Sequence, residues 1–149
     1  MSEREVMSAE ELEGLQLFRP GESPNGVELW APVVTPSGDV QGNYMVSTLG
    51  RVVRIAGGCG TRPGTILRTP PSRDGYPTVC LTRGGICKTW NVHKLVASTF
   101  LGRPPEDMYG PFHAHHKSLV RSDNRAVNLE WTSAEENLSS WWHKRMGGR

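Results

Sequence analysis

Short apolar segments, each bounded by glycine, proline or polar residues, recur along most of the chain. This pattern is typical of β-strands, because strands are short and are connected by turns. The predicted strands cover residues 27–34, 44–55 with a break at Gly50, 65–70, 76–83 and 86–92. Gly84 and Gly85 stand between the last two strands, and a two-glycine connection favours a tight hairpin. The pattern therefore predicts a small antiparallel sheet.

Residues 1–26 are predicted to form an acidic extension with one short helix. Ser8 can cap this helix, and Glu11 stands at the position of a capping-box partner. Three apolar positions repeat at helical spacing and form one stripe: Leu12, Leu15 and Phe18. The prolines and glycines of residues 20–26 then break the chain.

A second helix is predicted over residues 92–102, where apolar side chains again recur at helical spacing. Asn91 is the candidate N-cap, and Gly102 with the prolines that follow ends the helix. Residues 27–104 are therefore expected to form one segment, an antiparallel sheet followed by a helix.

The last segment, residues 105–149, holds four of the five histidines and three of the five tryptophans. Its pattern predicts a strand over residues 113–118, a polar loop over 119–128 and a short strand over 129–131. Ser133 can cap a helix that begins in the AEEN sequence. The order strand, loop, strand, helix differs from that of the preceding sheet.

The composition excludes two broad classes of protein. Apolar residues make up 36% of the 149 positions and charged residues 21%, which does not fit a disordered polar tail. No apolar run approaches the roughly 20 residues of a membrane-spanning helix, and the acidic N-terminus lacks the apolar segment of a secretory signal. The expected location is therefore the cytoplasm, with no membrane partner.

The formal net charge of +2 conceals an uneven distribution. Residues 1–50 hold two Lys and Arg against eight Asp and Glu, whereas residues 51–104 hold nine Lys and Arg against one Asp. A basic segment of this kind favours a polyanionic partner. The alternative is a solvated basic face that binds nothing.

The three cysteines, Cys59, Cys80 and Cys87, lack the spacing of a zinc motif. In a cytoplasmic protein they are expected to be reduced thiols. A structural zinc site that combines them with His93 is the less favoured alternative, because zinc prefers Cys and His ligands but the spacing is irregular.

Histidines and asparagines are concentrated in the last segment. His115 and His116 lie on the predicted strand, and Asn124, Asn128 and Asn137 follow His116 by eight, twelve and twenty-one residues. A strand places adjacent side chains on opposite faces, unless a bulge or the strand end lets both reach one site. The segment HAHHKSLVRSDNRAVNLEWTSAEEN resembles the ββα-metal motif of HNH nucleases, in the form seen in phage homing endonucleases. Two earlier segments, VHKLVASTFLGRP and ELWAPVV with YMVSTLGRVVR, resemble the helix and the short module that precede this motif in the family.

The resemblance implies roles for these residues. It makes His116 the general base, a role that a neutral imidazole can fill near pH 7. It also makes Asn128 a catalytic residue. It assigns His115 and Asn137 to one divalent metal and Asn124 to shaping the loop. Mg²⁺ is the expected metal, but the family often carries a carboxylate or an amide at the His115 position. An imidazole there also admits Mn²⁺ or another transition metal.

Seven basic residues are predicted to bind DNA. An antiparallel ribbon fits the major groove, so the residues on or beside the later strands are expected to hold the duplex. These are Arg68, Arg73, Arg83, Lys88 and Lys94. Arg51 and Arg54 are expected to contact phosphates.

The resemblance implies an α+β fold, a small antiparallel sheet followed by a ββα-metal motif. The function it implies is metal-dependent hydrolysis of phosphodiester bonds in double-stranded DNA, by a phage-encoded enzyme in the host cytoplasm, with homing as one role. A cut in both strands would need a homodimer, a phage partner protein or sequential events. The alternative is a catalytically decayed DNA-binding or packaging-accessory protein.

Overall fold

A computed structural model of the chain describes residues 6–19, 27–56, 62–102 and 112–133. The elements are α1 (Ala9–Glu13), β1 (Trp30–Val34), β2 (Val40–Ser47), β3 (Val52–Arg54), β4 (Thr78–Arg83), β5 (Ile86–Asn91), α2 (Val92–Phe100), β6 (Phe112–His116), a 3₁₀ turn (Ala126–Asn128) and β7 (Leu129–Ser133). The strands pair in three antiparallel sheets, β1-β2-β3, β4-β5 and β6-β7. This confirms the α+β class. The helix predicted after Ser133 lies outside the described residues.

The first sheet is longer than its sequence pattern indicated. β2 begins at Val40, whereas the sequence pattern placed the start of this strand at residue 44. Its pairing with β1 changes register between Pro32 and Val33, after which Val33 pairs with Gln41. Proline has no N–H to donate to the ladder, so it is confined to edge strands and irregular positions of this kind. The first residues of β2 were missed because they are polar or exposed and extend beyond the buried part of the sheet.

Residues 65–70, which were predicted to form a strand, make only isolated bridges. Thr65 pairs with Val6, and Ile66 pairs with Val53. Two consecutive residues that pair with different partners cannot build a continuous ladder. The strand prediction is therefore wrong for this segment, although its apolar side chains do face the core.

In the N-terminal segment, residues before and after α1 pack against the first sheet. Ser8 Oγ accepts a hydrogen bond from the Glu11 N–H at 3.1 Å, which confirms the predicted cap. α1 ends at Glu13, before the predicted apolar stripe is complete. Leu15 and Phe18 therefore reach the core from beyond the helix, where they pack on separate apolar clusters.

A glycine permits this N-terminal segment to approach closely. The Met7 N–H donates to the Gly64 carbonyl at 2.7 Å, and Gly64 has a φ of 94°. A Cβ at position 64 would lie 2.2 Å from the Met7 carbonyl oxygen. Only glycine tolerates both the contact and the positive φ.

α2 covers the first sheet and closes the core. Leu95 and Val96 are fully buried in the main apolar cluster. The helix is also hydrogen-bonded to β1, because the Val34 N–H donates to Thr99 Oγ1 at 3.0 Å. Asn91 stands at the predicted N-cap but makes no capping hydrogen bond through its side chain. In the described part of the chain, neither helix has the length and apolar character to span a bilayer.

β4 and β5 form a two-stranded ribbon. Gly84 and Gly85 both have positive φ angles, 59° and 79°, as a tight hairpin turn of the mirror-image type requires. This confirms the predicted hairpin. Cys80 and Cys87 lie diagonally across the ribbon on one face and form a disulfide. The prediction of reduced thiols is therefore wrong for this pair, and these two sulfurs are engaged with each other rather than in a zinc site; Cys59 lies outside the described residues.

The Tyr44 hydroxyl joins the first sheet to the ribbon. It accepts hydrogen bonds from the Thr82 N–H of β4 at 2.9 Å and from the Arg54 guanidinium of β3 at 2.6 Å. Tyr44 and Arg54 are buried, and the Arg54 Nε also donates to the Ala56 carbonyl at 2.7 Å. A buried charge is stable only when it has hydrogen-bond partners. The Tyr44 hydroxyl is one such partner of Arg54, and it binds the ribbon at the same time.

The substitution Tyr44→Phe is expected to lower the free energy of unfolding by about 1–3 kcal/mol, because it leaves the Thr82 N–H and part of the Arg54 charge without a partner. Urea denaturation followed by tryptophan fluorescence measures the change. Thr89→Val removes a hydroxyl from an exposed position of β5 and is expected to change stability by less than about 0.5 kcal/mol. Equal effects of the two substitutions would contradict the role given to the Tyr44 hydroxyl.

Candidate functional site

β6 and β7 bring two adjacent histidines to the end of a strand. His116 is the last residue of β6 and pairs with Leu129, while His115 pairs with Glu130. The side chains of His115 and His116 are both buried, with 6% and 5% of their surface exposed. Because His116 closes the strand, the loop that follows can fold over it.

Asn128 holds that loop in shape. Its Oδ1 accepts from the Ser118 N–H at 3.0 Å, and its Nδ2 donates to the Asp123 carbonyl at 2.9 Å. Its own carbonyl accepts from the Lys117 N–H at 2.7 Å. Asn128 therefore links the start of the loop to its end, and its amide is occupied by backbone groups rather than by His116.

Asn124 makes the direct contact with the candidate base. Its Oδ1 lies 2.7 Å from His116 Nε2, and both residues are buried. An amide oxygen can only accept, so this bond favours the tautomer with a proton on Nε2 and leaves His116 Nδ1 as the basic nitrogen. Asn124 thus orients the histidine in addition to any effect on the loop.

A turn of the first sheet packs against Asn124. Gly50, in the turn between β2 and β3, has a φ of 91°, and a Cβ there would lie 3.2 Å from Asn124 Cβ. The Ala126 N–H also donates to the Thr48 carbonyl in the same turn, at 2.7 Å. The loop that carries Asn124 therefore packs on the turn between β2 and β3. The sequence pattern indicated this turn only as a break at Gly50.

Two further rings surround His116. The His93 ring of α2 lies 4.8 Å from it between centroids, and the Tyr76 ring lies 6.0 Å away at an interplanar angle of 28°. Tyr76 and His93 are also in contact, at 5.0 Å. His93, the histidine of the less favoured zinc site, thus packs beside the candidate base. Tyr76 was not identified from the sequence, because a tyrosine before a strand has no motif that separates it from a core residue.

Arg121 of the loop lies on Tyr76. Its guanidinium carbon is 4.9 Å from the ring centroid, and the same group donates to the Asp74 carbonyl. The loop after β6 is therefore attached to the turn that leads into the ribbon. This contact joins residues 47 positions apart, so sequence spacing alone could not reveal it.

Burial lowers the pKa of His116 below its ordinary value. The hydrogen bond that His116 donates to Asn124 opposes this shift, and electrostatic repulsion by His115 and Arg121 adds to it. Asp123 acts in the raising direction. The balance keeps His116 neutral at pH 7, which is the form that can accept a proton.

His93 is neutral for the same reason. Burial, with smaller contributions from His116 and Lys94, lowers the pKa of His93 to about 3. Within the described residues its Nδ1 is a buried nitrogen without a hydrogen-bond partner. The ring therefore packs beside His116 without placing a charge there.

The predicted metal ligands are only partly covered by the structure. His115 is buried next to His116, and Asn137 lies outside the described residues. The ranges 6–19, 27–56, 62–102 and 112–133 contain no cluster of three or more His, Cys, Asp or Glu suited to a metal ion. One imidazole at this position fits a site with few protein ligands and several waters, rather than a closed structural site.

The predicted DNA-binding residues divide into two groups. Arg51 is paired with Glu28, to which its Nε donates at 2.8 Å, and Arg54 is buried against Tyr44. Arg54 therefore faces the interior, contrary to the expectation that it contacts phosphates, whereas the Arg51 side chain is 38% exposed and its phosphate contact stays a prediction. The other five are exposed: Arg68, Arg73, Arg83, Lys88 and Lys94.

A groove runs along one face of the ribbon. It has a volume of about 510 Å³ and is lined on the ribbon side by Thr78, Thr82 and Thr89. Arg68 and Tyr44 line the opposite side. The three hydroxyls share a face because alternate residues of β4, and the residues paired with them in β5, point the same way.

The buried histidines predict acid sensitivity. Between about pH 3 and 6.5 the unfolded chain protonates His93 whereas the folded protein does not, so the free energy of unfolding falls as the pH falls. The expected slope for one such histidine is up to about 1.4 kcal/mol per pH unit. Urea denaturation at several pH values should give a smaller slope for His93→Phe than for the parent. His113→Phe, at an exposed position, should leave the slope unchanged, and an unchanged slope in His93→Phe would contradict the buried neutral state.

Known proteins resemble this chain in sequence. The NUMOD4 motif matches residues 28–82. The DNA endonuclease I-HmuI of Bacillus phage SP01 is 31% identical over 100 residues, which cover 67% of this chain and 52% of that protein. An uncharacterised HNH endonuclease of Acanthamoeba polyphaga mimivirus is 31% identical over 97 residues, or 65% of this chain and 26% of that protein. The chain thus spans about half the length of the phage relative and about a quarter of the viral one.

A solved structure resembles it as well. The structure described as DNA binding and cleavage by the HNH homing endonuclease I-HmuI matches with a TM-score of 0.58 and 27% identity, over 80% of this chain and 59% of that one. The resemblance deduced from the histidine and asparagine spacing is thereby confirmed. The chain therefore carries a NUMOD4 motif ahead of its β6–β7 hairpin and is similar, in sequence and in fold, to HNH endonucleases of the homing type.

Proposed function

We propose that the protein is a metal-dependent DNA endonuclease in which His116 is the general base. The observation that carries this proposal is the buried hydrogen bond between His116 Nε2 and Asn124 Oδ1, at 2.7 Å. It leaves a neutral imidazole with one basic nitrogen, which is what the activation of a water requires. The phage relative is named a DNA endonuclease, and the similar solved structure is described as one of DNA binding and cleavage.

In this proposal His116 Nδ1 accepts a proton from the attacking water while the water oxygen forms a bond to phosphorus. The bond from phosphorus to the 3′ oxygen breaks, and solvent returns a proton to that oxygen. Asn124 holds the Nε2–H throughout, so the histidine carries the new charge without turning. General-base assistance of this type contributes about 10²–10⁴-fold in rate.

His115 and Asn137 are the residues proposed to hold one divalent metal ion. The bound ion would polarise the scissile phosphate and stabilise the negative charge that develops on it. Mg²⁺ is the first candidate, and the imidazole of His115 is also compatible with Mn²⁺ or another transition metal. His115 directly precedes the proposed base at the end of β6, where the end of the strand can let both side chains reach one site.

The exposed basic residues are proposed to form the DNA-binding surface, defined as Arg68, Arg73, Arg83, Lys88 and Lys94. The ribbon projects the turn at Gly84 and Gly85 away from the core, since its strands are exposed over β5 up to Thr89. A ribbon of this width fits the major groove of duplex DNA. The three threonines of the ribbon groove add hydroxyl groups that can bond to bases or phosphates.

A second candidate function is DNA binding without cleavage. The basic, exposed ribbon would serve such a protein equally well. The buried pairing of His116 with Asn124 favours the enzyme, because a polar pair in a core costs free energy and is not needed for binding alone. The two candidates differ in what a cleavage assay gives.

The parent protein is expected to convert supercoiled plasmid to nicked or linear DNA in the presence of Mg²⁺, and to lose this activity with EDTA. His116→Ala should lower the rate by about 100-fold or more, since it removes the base. Asn124→Ala should lower it about tenfold, because the base remains but its orientation and tautomer are less constrained. Gel electrophoresis over a time course measures both.

His113→Ala is the matched control, because His113 lies exposed on the same strand as His116. It should cleave at the parental rate. Binding of DNA without cleavage by the parent would favour the binding protein instead, whereas equal cleavage by the parent and His116→Ala would contradict the role of His116 as the general base.

The DNA-binding surface predicts a salt effect. In a His116→Ala background, substitution of Arg83 and Lys88 by glutamine should weaken duplex binding and lower the slope of log K against log salt by about 0.9 for each lost phosphate contact. Fluorescence anisotropy with a labelled duplex measures the slope. Arg19→Gln, on the N-terminal segment, is the control and should not change it. An unchanged slope in the Arg83 and Lys88 variants would place the DNA elsewhere.

A further inference from the structure

We propose that Tyr76 and His93 are positioning residues, whose rings form a wall that holds the imidazole of His116 in its productive orientation. The inference rests on the proposed role of His116 as general base. It concerns residues of α2 and of the turn before β4, both of which lie outside the β6–β7 hairpin that carries the base.

The contacts of His116 explain why such a wall is needed. One hydrogen bond, to Asn124, holds one nitrogen of the ring. The terminal torsion of a histidine is broad and roughly two-fold, so one bond at 2.7 Å leaves the tilt of the ring poorly restrained. A general base must meet the proton that it abstracts within hydrogen-bond reach. Small changes in tilt therefore affect the rate.

The two neighbouring rings restrain that tilt. Tyr76 is nearly parallel to His116, at 28° and 6.0 Å, while His93 is inclined at 46° and closer, at 4.8 Å. Tyr76 and His93 also contact each other at 5.0 Å, so the wall is continuous. A rotation of His116 out of its plane would drive it into one ring or the other.

Arg121 holds Tyr76 in place from the loop. Its guanidinium lies 4.9 Å from the Tyr76 ring centroid and also donates to the Asp74 carbonyl, two residues before Tyr76. A cation over an aromatic face is attracted by the negative face of the ring. Tyr76 is thus in contact with both the loop and the histidines, and its ring is itself restrained.

The chemistry of His93 suits this role. Its ring is 5% exposed and uncharged, so it packs against His116 without repelling the proton that the base must accept. Its Nδ1 has no partner in the described part of the chain, so the ring contributes through shape rather than through a hydrogen bond of that atom. Replacement of such a ring by phenylalanine should therefore be tolerated.

The test compares Tyr76→Phe with Tyr76→Leu in the full chain. Single-turnover cleavage should be about tenfold slower for Tyr76→Leu, with the Kd for duplex DNA unchanged within about twofold, because a misoriented base affects the chemical step and not binding. Tyr76→Phe keeps the ring and should retain the rate within about threefold. His93→Leu and His93→Phe should give the same pattern.

A readout without metal or DNA accompanies the kinetics. The ring protons of His116, assigned with the help of the His116→Ala variant, should shift in the NMR spectrum of Tyr76→Leu through loss of the tyrosine ring current. They should stay close to the parental position in Tyr76→Phe. Melting temperatures are recorded for every variant. Phe18→Leu removes a ring that packs edge-on against Phe100 and is the control for lost aromatic packing, with rate and His116 signals unchanged.

Several results would overturn the proposal. Equal rates for Tyr76→Leu and Tyr76→Phe, a weaker Kd that accounts for the whole loss, or unchanged His116 signals in Tyr76→Leu would each exclude a positioning wall. If Tyr76→Leu does not fold, the His93 pair decides by the same criteria. If the parent does not cleave DNA, the proposed function fails, while the NMR comparison still decides whether the two rings orient His116.

Discussion

The hydrogen bond between His116 and Asn124 is the interaction on which the rest of the site depends. Both side chains are buried, so each would be costly without the other. Several features that look unrelated in the chain serve this pair. Gly50 leaves space for Asn124, and Asn128 folds the loop so that Asn124 returns to the end of β6. The loop is therefore long and polar for a structural reason, since it must bring one amide back to one imidazole.

Two tyrosines connect the ribbon to the rest of the protein. Tyr44 reaches β4 from the first sheet through its hydroxyl, and Tyr76 reaches the histidines from the turn before β4 through its ring. The ribbon proposed to bind DNA is thus attached at one side to the core and at the other to the proposed base. This arrangement gives a physical route by which the position of the duplex and the position of the base are kept in register.

The local elements were largely predictable, because their causes are local. The Ser8 cap, the Gly84 and Gly85 hairpin and α2 follow from residue types within a few positions of one another. The predictions failed where a partner distant in the chain decided the outcome. Residues 65–70 have the composition of a strand but find no continuous neighbour, and Cys80 meets Cys87 only because the ribbon register aligns them.

The α+β class follows from the pattern of apolar segments along the chain, and the resemblance to HNH nucleases follows from the spacing of His115, His116, Asn124 and Asn128. That spacing is informative because a strand, a loop of fixed length and a second strand must return the same side chains to the same place. How each side chain is used depends on the tertiary structure, in which Asn124 rather than Asn128 contacts His116, and Arg54 is buried. Contacts between distant segments depend on packing and burial, which no window of sequence contains.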